Sequence, residues 1–94
     1  MDPSPHRLGV VEIERFVWTD HAEMRLSQRR LSAADIEQAI RAGHVDRQTN
    51  DGRAEWLVTG KTADGTAFEA IYDHPHGDDE SAVRIVSVWR LDSQ

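Results

Sequence analysis

The apolar positions of this chain change period twice. From Val10 to Trp18 (VVEIERFVW), Val11, Ile13 and the Phe16–Trp18 cluster fall at strand-like spacing, and their β-branched and aromatic character predicts a strand. The next eleven residues, DHAEMRLSQRR, lack Gly, Pro and β-branched side chains. Trp18, Ala22 and Leu26 share a stripe at i, i+4, i+8, so this segment predicts a helix. Thr19 or Asp20 supplies its N-cap, with Glu23 three residues after Asp20 as a capping-box partner. Ser32 caps a second helix with Asp35 as its third-position acid. Ile36, Ala39 and Ile40 form its buried stripe. Glu37 precedes Arg41 by four residues in the favourable order, and Gly43 ends the helix.

After Gly43 the period becomes two. His44–Thr49, Arg53–Lys61, Thr66–Asp73 and Ala82–Leu91 read as strands. Asn50-Asp51-Gly52 and Asp64-Gly65 are hairpin turns, and His74–Ser81 is a polar loop. The order β-α-α-β-β-β-β predicts an α+β fold: an antiparallel meander sheet with both helices on one face. Ala22, Leu26, Ile36, Ala39 and Ile40 should be buried against it. Strict alternation along the last strand places Ala82, Arg84, Val86, Val88 and Arg90 on one face, and Val83, Ile85, Ser87 and Trp89 on the other. Residues 1–9, with two prolines and no period, read as a flexible lead-in to a single domain over residues 10–92.

Ninety-four residues leave little room for a second domain. The absence of Cys excludes a disulfide scaffold, a thiolate nucleophile and a Cys-ligated zinc or iron–sulfur site. No apolar run exceeds three residues, so no membrane helix is expected. The first residues, MDPSPHR, carry no secretory apolar core, and the expected location is cytoplasmic. Seventeen acids against eleven bases give a net charge of −6, which argues against a general affinity for polyanions. Ten of the eleven bases are Arg. A GC-rich genome explains that bias, although Arg is also the side chain that grips phosphate or carboxylate with a planar fork.

Position narrows the candidates. His21, Arg25 and Arg29 are four residues apart on the first predicted helix and line one polar flank, while Arg30 points elsewhere. Imidazole exchanges a proton near neutral pH and guanidinium neutralises a phosphodiester. The same spacing also describes a solvated helix face with a capping His. Arg84 and Arg90 at the ends of the last strand either snorkel to water or line a site, and Lys61 is an additional candidate or an ordinary exposed Lys. His74-Pro75-His76 with Asp78, Asp79 and Glu80 resembles a divalent-ion set, but no third His or Cys completes it. It reads as a polar turn, and no metal or cofactor is implied. Phosphate-binding glycine loops and the nucleophile-elbow motif of acyl hydrolases are absent from the sequence.

The run Thr19–Ile40, with His-Ala, an Arg four residues after the His, an Arg near the helix end and a Ser-capped second helix, resembles a small bacterial domain-of-unknown-function family. That family is grouped with the BrnT and RelE/ParE toxins, and Arg84-Ile-Val-Ser-Val-Trp-Arg90 is similar to their last strand. The resemblance covers residues 16–91. It implies metal-independent endoribonuclease chemistry, in which the 2′-hydroxyl of the RNA attacks the adjacent phosphate. By carry-over, His21, Arg25 and Arg90 match the family's residues and are the expected catalytic groups, while Arg29, Arg84 and Lys61, candidates by position, are expected to bind substrate. The implied partners are a cognate antitoxin, RNA or the ribosome, and a homodimer is a further expectation. The net charge departs from the basic character common in RelE-type nucleases. It leaves three alternatives open: a ParE-like inhibitor of a protein target, an inactive relative, or a non-catalytic interaction module.

Overall fold

The computed structural model of the chain describes residues 13–43 and 47–91. The expected lead-in over residues 1–9 lies outside these. The elements run β1 (Arg15–Trp18), α1 (Asp20–Arg29), α2 (Ala33–Gly43), β2 (Gln48–Thr49), β3 (Trp56–Lys61), β4 (Ala67–Asp73) and β5 (Ala82–Arg90). The class is α+β, as the patterning predicts.

Local chemistry sets the helix ends. Thr19 caps α1: its side chain accepts from the Ala22 N–H at 3.0 Å. The helix stops at Arg29 because Arg30 turns left-handed (φ 57°), giving its N–H to Leu26 and Ser27, while Leu31 N–H bonds Leu26 O at 3.0 Å. In α2, Ile36 N–H closes on Ser32 O, which makes Ser32 the flanking residue. The expected Glu37–Arg41 pairing gives way to longer reaches. Glu37 accepts the Trp18 indole N–H at 2.9 Å, and Arg41 donates to Ile13 O and stacks on the Phe16 ring at 5.0 Å. These three contacts tie α2 to β1 and the residue Ile13 before it.

The five strands form one sheet in the order β1-β5-β4-β3-β2. β2 to β5 are antiparallel neighbours, but β1 lies parallel to β5, pairing Arg15–Trp18 with Ala82–Ile85. The sheet is therefore mixed, which corrects the expectation of a pure antiparallel meander. Period-two patterning shows which face a strand buries, but not the direction of the strand beside it.

Both helices cover one face. Ala22, Ile36 and Ile40 pack with Val58, Phe68, Ala70, Tyr72, Val83, Ile85 and Val88 in a single core, and Leu26 and Ala39 are half-buried against it. Gly60 lets α2 approach β3, since a Cβ there would lie 2.7 Å from the Ala39 methyl and 2.9 Å from the Phe68 ring. Burial pushes the Tyr72 phenol up to about 12, against the opposing charge of Arg47.

The second face carries a smaller cluster of Ala54, Ile71 and Val86, with Leu57 and Trp89 against it. Residues 53–55, expected as strand, instead belong to the 50–55 loop, closed by Asn50 N–H to Glu55 O at 2.9 Å and Asn50 Nδ2 to Ala54 O at 3.0 Å. This places Ala54 against that second face. Of the expected strand His44–Thr49, Gln48 and Thr49 are strand, and residues 44–46 lie outside the described residues.

β5 is also irregular. Ile71 pairs with Ser87 but Tyr72 pairs with Ile85, so Val86 is an extra residue. The bulge reverses side-chain parity beyond it. Val86 joins the second face, while Val88 lies in the main core, and Arg90 pairs with core Phe68. Strict alternation had put Arg84, Val86, Val88 and Arg90 together. The bulge instead leaves Arg84, opposite Asp73, on the second face and Arg90 on the helix face.

Candidate functional site

α1 emerges at the end of β1, where its first residues meet β5 at the bulge. Thr19 N–H bonds Ile85 O at 3.2 Å, and its hydroxyl donates to Val86 O at 3.2 Å. That anchor fixes His21, the half-buried second residue of α1. Arg25 Nε donates to His21 Nε2 at 3.4 Å, and Arg25 Nη1 donates to Gln28 Oε1 at 3.2 Å. A donor on Nε2 requires its lone pair there, so the ring is neutral with its proton on Nδ1. Partial desolvation, then the charge of Arg53, then that of Arg25, hold the imidazole below the ordinary value of 6.5. Arg53 comes from the 50–55 loop, beside the Ala54 that packs on Val86. One neutral imidazole thus lies in the field of two guanidiniums delivered by separate elements.

The expected site residues divide into three places. His21 and Arg25 are in contact, and Arg29 is exposed in the last turn of the same helix. Arg84 is ion-paired with Asp73 at 3.2 Å on the second face. Arg90 lines a cleft of about 420 Å³ with Arg30, Leu31, Ser32, Asp35 and the turn Thr62–Thr66. That cleft lies at the C-terminal end of α1, whereas His21 lies at the start, and ten helical residues span roughly 15 Å. Lys61 lines a second groove of about 340 Å³ beside Asp35, Gln38 and Ala42 of α2. The structure therefore does not gather His21, Arg25 and Arg90 around one point.

Arg53 and Gln28 were missed by sequence reasoning. Gln28 is three residues after Arg25, a spacing that could have flagged it. Arg53 carries no sequence signal, because only the folding of the 50–55 loop under the sheet brings it to a helix 32 positions earlier.

The His74–Ser81 loop is held by its own polar groups. The buried His74 ring bonds Glu80 O through Nε2 at 2.8 Å. Asp79 accepts from the Ser81 N–H and hydroxyl at 2.9 and 2.6 Å and pairs with Arg15 at 3.0 Å. Those Ser81 bonds, followed by Arg15, keep the Asp79 carboxyl below its ordinary value despite desolvation. Among the described residues no group of three or more His, Asp or Glu is arranged to hold a metal ion. Among them, too, no helix is long and apolar enough to cross a membrane.

The chain belongs to a family described as Domain of unknown function (DUF4258), whose model matches residues 18–90. The match opens at Trp18 and closes at Arg90, spanning both helices and β2 to β5. No curated protein and no solved structure matches the chain.

Proposed function

We propose that this DUF4258 domain is a toxin-like, metal-independent endoribonuclease whose centre is His21 with Arg25 and Arg53. The observation that carries this reading is the His21 imidazole in contact with the Arg25 guanidinium and within the field of Arg53, on a chain of net charge −6. A phosphodiester entering there meets two cations, and the imidazole is in its basic form at neutral pH. Arg25 keeps its proton and redirects its Nε–H hydrogen bond from His21 to a phosphate oxygen, which frees Nε2. The 2′-hydroxyl gives its proton to Nε2 as its oxygen bonds to phosphorus. The phosphorus–5′-oxygen bond breaks, and solvent protonates the departing 5′-oxygen. The products are a 2′,3′-cyclic phosphate and a 5′-hydroxyl. Arg25 and Arg53 stabilise the charge that builds on the phosphoryl oxygens. Membership of the toxin superfamily, a cognate antitoxin, a ribosome-bound substrate and a homodimer all belong to this proposal.

The direct experiment incubates purified protein with free RNA and with ribosome-bound RNA in the presence of a chelator, and scores cyclic-phosphate ends. Cleavage lost in His21→Ala supports the reading. Absence of cleavage on both substrates, with growth arrest equal in wild type and His21→Ala, rejects it.

A second reading has its own observation. Arg25 occupies the His21 lone pair, and Asp73 offsets Arg84, so two of the expected cations already have protein partners. This favours a non-catalytic module or an inhibitor of a protein target. Growth arrest without RNA cleavage is its signature.

A further inference from the structure

The cleft at the far end of α1 is a separate chemical environment. Its walls come from four places: the left-handed Arg30 cap, the first turn of α2, the Thr62–Thr66 turn and the last residue of β5. Two arginines, Arg30 and Arg90, line it from different elements. Two carboxylates, Asp35 and Asp64, line it as well. The turn's bonds to Asp64, from the Thr62 hydroxyl and from the Thr66 N–H and hydroxyl, all end on Oδ1. Those bonds also keep Asp64 ionised by lowering its pKa, even against desolvation.

A lining with two cations and two anions is a poor home for a bare anion, since the carboxylates repel what the guanidiniums attract. It suits a ligand that carries an anionic group at one end and hydrogen-bond donors at the other. We propose that this cleft binds one nucleotide unit, its phosphate on Arg30 and Arg90 and its sugar hydroxyls or base N–H groups on Asp35 and Asp64. The volume of about 420 Å³ is in the range of small-ligand sites. That the nucleotide belongs to an RNA strand rests on the ribonuclease reading above. Along α1, each four-residue step from His21 to Arg25 to Arg29 rises about 6 Å, close to the step between successive phosphates of an extended strand. Such a strand would pass from the His21 centre along this stripe to the cleft. The cleft would then select the base a few nucleotides from the cut.

The test titrates the four nucleoside monophosphates, and separately inorganic phosphate, into isotopically labelled protein and follows amide shifts. The expected result is saturable binding at millimolar nucleotide, with shifts at residues 30–35 and 62–66. One base should be preferred, and inorganic phosphate should bind at least tenfold more weakly. Arg90→Gln should weaken nucleotide binding tenfold or more. Arg30→Gly, which keeps the left-handed cap without strain, should do the same. Asp35→Asn should weaken nucleotide but not phosphate, whereas His21→Ala should leave binding unchanged. Phosphate binding as tight as nucleotide, shifts centred on His21, or no saturable shift in the folded protein would overturn the proposal. Nucleotide binding with no RNA cleavage rejects the ribonuclease reading alone. Cleavage by a protein whose cleft takes no nucleotide rejects this one alone.

Discussion

Arg25 Nε and His21 Nε2 are 3.4 Å apart, with the guanidinium as donor and the imidazole as acceptor. That contact joins partial desolvation and the charge of Arg53 in disfavouring the protonated ring, and it couples His21 to whatever draws Arg25 away. Protonation of His21 removes the acceptor and sets it against both Arg25 and Arg53, so the folded protein favours the neutral ring.

The His21 titration should therefore have its midpoint below 6.5 in nuclear magnetic resonance spectra. Arg53→Ala should raise it toward that value, and Arg25→Ala should do so less. A lowered folded-state pKa means that the unfolded chain binds the proton more readily. The His21 contribution is neutral above the unfolded value and becomes destabilising as the pH falls below it. A midpoint at or above 6.5 in the wild type contradicts the arrangement.

Cleavage under the ribonuclease reading should rise with pH through that same acid-shifted midpoint and then level off. Arg25→Ala and Arg53→Ala should each lower the rate about a hundredfold, the loss of roughly 3 kcal/mol of transition-state stabilisation. Both side chains lie toward the surface, so melting temperatures should change little. A rate loss matched by a large drop in melting temperature would mean that the effect is on folding.

Gly60 should tolerate no side chain. Gly60→Val places new carbons where the Ala39 methyl and the Phe68 ring already lie within 3 Å of the first added atom. Overpacking of this kind costs about 1–3 kcal/mol. For a domain of this size that is a fall in melting temperature of roughly 4 °C or more. Calorimetry showing an unchanged transition would refute the close packing of α2 on β3.

Ile40 has no exposed surface in the main core, so Ile40→Asp should leave the chain unfolded at room temperature by circular dichroism. It removes a buried aliphatic side chain and inserts an unpaired charge, which together cost several kcal/mol, most of a small domain's margin.

Asp79 should make stability fall in acid. Its carboxyl is held below the ordinary value of 3.8 by Ser81 and Arg15, so its contribution is present above that value and lost as the pH drops through the lower folded one. Asp79→Asn should be less stable than wild type at neutral pH, and denaturant midpoints should converge in strong acid. A constant gap across that range would show that the charge is not what matters.

The helices were legible in the residues: Thr19 and Ser32 as caps, Ala22, Ile36 and Ile40 as the buried stripe, and the contact of His21 with Arg25 as an i, i+4 pair. All of these are local, set by helical geometry within a few residues. The strand character of β3 to β5 and the turn at Asp64-Gly65 were legible for the same reason. What the tertiary structure decided involves partners distant in sequence. β1 runs parallel along the edge of β5 that β4 leaves open, and no periodicity encodes a neighbour's direction. Arg53 acts on His21 through its charge because the 50–55 loop packs Ala54 against Ile71 and Val86. The extra residue at Val86 sends Arg90 to the helix face and Arg84 to the other, because one unpaired residue reverses every side chain beyond it.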